Sequence, residues 1–131
     1  MSTLNFKDHE FRCRCSCRQM LFTQQAIEKL QALRSNYGSP MKISSGYRCP
    51  RHNADVSSTG RTGPHTVFDD DNITVDVLVH TSNAHRLLNL ALGQGFTGVG
   101  ISQKGEWDKR FLHLDLLAMD VGRMRPTLWS Y

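Results

Sequence analysis

His65, Asp76 and His113 are of the residue types that ligate transition metals, and the last two lie in segments patterned as β-strands. Two imidazoles and one carboxylate leave a tetrahedral zinc ion one open position, which suits it to polarise a carbonyl and acidify a water during hydrolysis. The strands decide whether such side chains can converge. In Ile73-Thr-Val-Asp-Val-Leu-Val-His80, Ile73, Val75, Val77 and Val79 share one face, and Thr74, Asp76, Leu78 and His80 the other. In Phe111-Leu-His-Leu-Asp-Leu116, Leu112, Leu114 and Leu116 form one face, with Phe111, His113 and Asp115 opposite. A lone strand carboxylate reads as an ion-paired edge residue, and a lone strand histidine as a hydrogen-bonded core residue. Two strands with the same inverted polarity favour a shared site. His80 shares a face with Asp76 but lies about 13 Å along the strand, too far to share an ion. His9, His52 and His85 read as surface or hydrogen-bonding residues.

The elements that must carry these residues follow from pattern and caps. Thr23 is placed to cap a helix running to about Tyr37, with Ala26, Ile27, Leu30 and Leu33 as its apolar stripe and Gly38 then Pro40 ending it. Ser82 is expected to cap a second helix, with Ala84, Leu87, Leu88, Ala91 and Leu92 inward and Gly93 and Gly95 at its end. Short strands are expected near Met41 to Ser45, near Gly98 to Ser102 and at Phe111 to Leu116. From Gly46 to Asn72 the chain reads as one long irregular stretch. A loop of that length inside a domain is usually functional or disordered, and this one holds His65. The expected architecture is α+β: a small, mostly antiparallel sheet with helices packed to one side, in a single domain over residues 1–131.

With 131 residues and 39% hydrophobic content, the chain can bury a core without disulfides or oligomerisation. The net charge of +4 favours an anionic partner such as a cell-wall polymer. No basic helix with interleaved aromatics is present, so nucleic acid is not an expected partner. No apolar run is long enough to span a membrane, and the first residues lack the pattern of a signal peptide, so synthesis in the cytoplasm and no membrane insertion are expected. A monomer is expected. Cys13, Cys15, Cys17 and Cys49 include a C-x-C-x-C run. Extended backbone would put its three sulfurs on one face, where Cys49 could complete a structural metal site. C-x-x-C is the commoner zinc spacing, and buried free thiols are the default expectation.

Taken in order, several runs resemble a known family. Ser45-Gly-Tyr-Arg-Cys-Pro, His52-Asn53, a histidine, an aspartate in an apolar strand, Gly95-Phe-Thr-Gly-Val-Gly-Ile101 and Phe111-Leu-His-Leu-Asp115 are similar to the zinc D-Ala-D-Ala carboxypeptidases. That family includes phage endolysins that cut peptidoglycan stem peptides, and it shares its fold with the hedgehog signalling domain. The resemblance runs from Glu10-Phe-Arg-Cys to Trp129-Ser-Tyr131. It implies Zn2+ held by His65, Asp76 and His113, with Arg48 facing substrate. It also implies a peptidase reaching the cell wall after release, as a phage or prophage lysin does, and cutting D-Ala-D-Ala or L-Ala-D-Glu bonds. Arg48, planar and permanently charged, suits a substrate carboxylate or a tetrahedral oxyanion, and equally a loop-bracing role.

Two departures from the family pattern stand out. The gap between His65 and Asp76 is longer than usual and includes Phe68-Asp-Asp-Asp-Asn72, which makes Asp71 a rival ligand. The strand context favours Asp76. The positions where the family places a general base hold Arg110 and Phe111, neither of which can take a proton from water. Asp115, on the face of His113, and Glu106 and Asp108, in the preceding loop, are the candidates for proton transfer. Asp115 also fits the orientation of His113. The expected catalytic residues are therefore Arg48, Asp115 and Glu106, and the expected substrate contacts are Ser45, Tyr47, Arg48 and Trp129. Tyr47, Trp107, Trp129 and Tyr131 are candidates for lining a groove. The contrasting reading is a zinc-stabilised binding or virion protein of the same fold that has lost catalysis.

Overall fold

The structure, a computed structural model, describes residues 2–131; Met1 lies outside the described residues. Five strands, β1 (Lys42–Ser45), β2 (Thr74–Leu78), β3 (Gly98–Ser102), β4 (Phe111–Asp115) and β5 (Thr127–Ser130), form one sheet in the order β1-β2-β4-β3-β5. Every neighbouring pair is antiparallel except β3 and β5, so the sheet is mixed and the fold is α+β. Helices α1 (Gln24–Tyr37) and α3 (Thr81–Gly93) pack on each other. Ile27, Leu30, Leu33, Leu87 and Ala91 join Val75, Val77, Val99, Leu112 and Leu114 in one buried core. That core is the aliphatic face expected of β2 and β4.

α1 begins where its cap chemistry places it: the Thr23 hydroxyl accepts from the Ala26 N–H at 3.1 Å, and Gly38 ends the helix at φ 73°. α3 begins two residues earlier than a Ser82 cap would allow. Strand pairing persists to Val79, whose N–H donates to the Arg110 carbonyl, and the chain turns at once into a helix capped at His80. Leu92, expected inward, is 55% exposed, because the buried stripe of α3 runs through Ala84, Leu87 and Ala91 and Leu92 falls to one side of it.

The stretch from 46 to 72 is more regular than its sequence suggests. It contains α2 (Pro50–Val56) and two turns of 3-10 helix, Pro64–Thr66 and Asp69–Asp71. α2 starts with Pro50 in its first turn, while the Cys49 sulfur accepts from the His52 N–H. Asn53 is its only buried residue, so it has no apolar stripe by which periodicity could reveal it. β5 was equally hidden: its residues alternate only between half-buried and exposed on a sheet edge. No helix among the described residues is long and apolar enough to cross a membrane.

Candidate metal centre

Strand register sets the site. Ser45, Asp76, His113, Gly100 and Trp129 are successive cross-strand partners, one from each strand, and form a single row across the polar face. Directly opposed residues on one face have neighbouring side chains, so Asp76 and His113 must meet. Gly100 separates His113 from Trp129. A Cβ at Gly100 would lie 2.6 Å from the Trp129 indole nitrogen, and its absence lets the indole lean to 4.8 Å from the His113 ring. The next row contains Asp115 and Gly98, where a Cβ would collide with the Asp115 carboxylate.

His65 arrives from the Pro64–Thr66 turn, not from the sheet. Its Nδ1 lies 2.8 Å from the Gly46 carbonyl, which can only accept, so the ring is protonated at Nδ1 and its Nε2 lone pair is free. His113 is held in the opposite sense: its Nε2–H donates to Asp115 Oδ2 at 2.8 Å, leaving the Nδ1 lone pair. Both free nitrogens face Asp76 Oδ1, at 3.4 Å from His65 and 3.3 Å from His113. Asp76 Oδ1 is buried and has no hydrogen-bond partner. Three lone-pair donors facing one another without a proton are repulsive, and a cation removes the conflict. The three ligand atoms lie within 4.8 Å of one another, and the donor set suits zinc.

The surroundings bias the charge state of each ligand differently. Burial would raise the Asp76 pKa, but the His113 and His65 rings, 3.3 and 3.4 Å from its Oδ1, outweigh burial and hold the carboxyl well below its usual range. Burial lowers the His65 pKa and favours its neutral form. Burial also opposes charge on His113, yet its hydrogen bond to Asp115 and the negative charge of the adjacent Asp76 leave its pKa raised. Asp115 is 0% exposed and accepts from Arg125 at 3.0 Å through Nε and 2.8 Å through the terminal nitrogen, besides His113 and the Leu117 N–H. Burial opposes its ionisation, but these partners lower its pKa to about 2. It is a locked anion, the usual partner of a metal-bound histidine.

Arg48 borders the cluster. Its Nε donates to the Ser45 hydroxyl at 3.0 Å and one terminal nitrogen to Asn53 Oδ1 at 3.1 Å, while the other lies 3.5 Å from Asp76 Oδ2. The wholly buried Asn53 in turn donates to Thr59 Oγ1 and the Gly60 carbonyl, tying α2 to the loop before His65. The metal-ligand cluster opens into a cleft of about 560 Å³ lined also by Arg48, Ser57, Thr59, Phe111, Trp129 and Tyr131.

A model of one protein family matches residues 4–115, most of the chain and all three candidate ligands. The chain belongs to the Peptidase M15 family. No curated protein and no solved structure matched it. Membership makes the chain a metallopeptidase by family, in agreement with a donor set shaped for a cation. The M15 match ends at Asp115, so Arg125, Trp129 and Tyr131 reach the centre from a segment beyond it.

Several expected residues stand elsewhere. Asp71 accepts from the Thr23 hydroxyl at 2.6 Å and takes no place beside the histidines. Tyr47 is 3% exposed and packs edge-on against Phe22 and Phe68, so it belongs to the core rather than to a substrate groove. Ser45 is buried beneath Arg48 and positions that side chain without lining the cleft. Glu106 and Asp108 are exposed in the loop before β4 and do not line the cleft. Asp76 is the one carboxylate in the cleft wall among the described residues. Trp107 stacks under Arg110 away from the cleft. Arg125 and Asn53 carry positioning roles that pattern did not reveal. For Asn53 the one pointer was its place in the His52-Asn53 run.

Proposed function

We propose that the chain is a zinc-dependent peptidase hydrolysing stem-peptide bonds of peptidoglycan, of the D-Ala-D-Ala carboxypeptidase or L-Ala-D-Glu endopeptidase kind, in a phage or prophage lysin. The observation that carries this reading is the orphaned Asp76 oxygen between two free imidazole nitrogens, at the floor of a cleft, in a Peptidase M15 chain. His65 through Nε2, His113 through Nδ1 and Asp76 through Oδ1 would hold zinc. When bound, the ion supplies electrophilic polarisation of a scissile carbonyl and acidification of water.

The protein's own groups supply the rest. Arg48, with two donor groups engaged by Ser45 and Asn53, presents a fixed positive charge at the cleft wall for a substrate carboxylate or developing oxyanion. Partial burial and the Asp76 charge raise the Tyr131 phenol pKa, so at neutral pH its hydroxyl is a hydrogen-bond donor toward a substrate oxygen. Trp129 walls the cleft against His113. Asp115 fixes the His113 ring and keeps its Nδ1 lone pair directed at the metal position. Glu106 is the proposed proton-transfer group of the loop before β4, a role that needs that loop to fold inward. Glu106→Gln checks it: kcat falling with zinc content unchanged supports the role, and unchanged kcat removes it.

Purified protein loaded with zinc and incubated with murein should generate new amine and carboxyl ends. No new ends from fully zinc-loaded protein would overturn the peptidase reading. The absence of any second carboxylate from the cleft wall among the described residues favours one alternative, a zinc-stabilised binding or virion protein without turnover. Retention on murein sacculi without new ends would identify it.

A further inference from the structure

The second cluster of metal-ligating side chains lies away from the cleft, where the segment after Phe11 meets the loop after β1. Cys13, Cys15, Cys17 and Cys49 each offer a sulfur, and all four sulfurs lie within 4.8 Å of one another. The Cys15 sulfur is 3.5 Å from Cys13, 3.2 Å from Cys17 and 3.6 Å from Cys49, and none is in a disulfide. Four thiolates at about 2.3 Å from a tetrahedral zinc ion stand about 3.8 Å apart. The observed spacing is close to that.

The backbone does not reach this arrangement by extension, as the C-x-C-x-C spacing first suggests. Residues 14–17 form bends and a turn, Arg18 sits at φ 54°, and its N–H donates to the Cys15 carbonyl. The turn wraps three sulfurs around one point, and Cys49 closes the set from the other segment. Burial as free thiols accounts for Cys13 and Cys49. It does not account for Cys17, which is exposed, or for Cys15, which is half-buried, yet both point inward to the cluster. Donors also converge on the sulfurs: the Cys49 N–H on Cys13, the Cys17 N–H on Cys15, the His52 N–H on Cys49, and the Arg51 guanidinium on Cys15 at 3.6 Å. Such donors stabilise thiolates around a bound metal.

We propose that Cys13, Cys15, Cys17 and Cys49 form a closed tetrathiolate site for a structural zinc ion, separate from the His65, Asp76 and His113 centre. Binding expels four thiol protons and leaves a site of net charge −2, which Arg51 partly offsets. Four protein ligands leave no open position, so the site is structural. Its effect on the catalytic face is mechanical. Cys49 follows Arg48 directly, the Tyr47 N–H donates to the Phe11 carbonyl, and a Cβ at Gly46 would meet the Phe11 backbone at 2.7 Å. The metal would fasten that junction and hold Arg48 and the Gly46 carbonyl, the partner of His65, in place.

The test is metal content of the full chain purified under reducing conditions, together with the absorption of the cobalt-substituted protein. Wild type is expected to hold two zinc ions, and Cys15→Ser and His113→Ala one each. The thiolate-to-cobalt charge-transfer band should persist in His113→Ala and vanish in Cys15→Ser. Should Cys15→Ser fail to fold, an organomercurial titration of wild type decides: one zinc released as the four thiols react supports the site, and four thiols reacting without zinc release overturns it. One zinc in wild type with no thiolate band, or disulfides in the native mass, also overturns it and leaves the peptidase reading intact. A thiolate band with no metal lost in His113→Ala supports the cysteine site and defeats the peptidase reading instead.

Discussion

Asp115 shows how one residue's environment selects its role. Three kinds of donor saturate its carboxylate, and one of them, Arg125, is an arginine that packs beside Trp129. A group so engaged does not carry protons between water and substrate; it sets the tautomer and tilt of His113. Asp115→Asn is expected to lower metal affinity at the histidine centre about 10–100-fold, read by chelator competition, with the fold retained. Arg125→Ala removes the cation from a buried carboxylate and should destabilise the protein by roughly 3–5 kcal/mol, read by urea denaturation. Arg48→Lys keeps the charge but not the fork that reaches Ser45 and Asn53 together. A raised KM with little change in metal content is the expected result, measured on zinc-loaded enzyme. The partnership of Asp115 with His113 could be read from strand alternation. Arg125 could not, since it lies in a segment with no pattern and meets Asp115 only through the return of the chain to β5.

At the scale of elements, the site depends on β3 contributing no side chain. Gly98 and Gly100 face Asp115 and Trp129, and each leaves the room its neighbour occupies. Gly100→Ala should displace the indole from His113 and destabilise by about 1–3 kcal/mol, with thermal unfolding as the check and tryptophan fluorescence reporting the displacement. Thr23 links an ordinary helix cap to the loop that leads toward the metal ligands, because it also donates to Asp71. Thr23→Ala is expected to cost about 1 kcal/mol, again from denaturation, without loss of zinc. The long helices and central strands were legible because only one face of each packs into the aliphatic core, which imposes the apolar period. α2 and β5 were not, because α2 buries only Asn53 and β5 sits on an edge.

For the whole molecule, the clearest consequence of this charge arrangement is acid sensitivity. The carboxyls of Asp76 and Asp115 are depressed in the folded state, Asp115 to about 2, against roughly 3.9 for an unfolded aspartate. Groups of this kind stabilise the fold fully above the unfolded pKa, and that contribution fades as pH falls from about 4 toward about 2. Denaturation of chelator-treated protein across that window should show stability falling with acid. In Asp115→Asn the fall should be shallower, since one of the two depressed carboxyls is gone.

The sequence by itself determined which residue types could bind a metal, which strand faces would be aliphatic, and where α1 would start and stop. These are local or periodic properties, written within a few residues. Only the tertiary structure decided that Asp76 and not Asp71 joins the histidines, because that follows from the β2–β4 register and from Asp71 being held by Thr23. It also decided that Tyr47 is core, that Ser45 supports Arg48, and that three closely spaced cysteines meet a fourth from a distant loop. Each is a contact between segments far apart in the chain, and such contacts are fixed by packing and register rather than by any neighbouring residues.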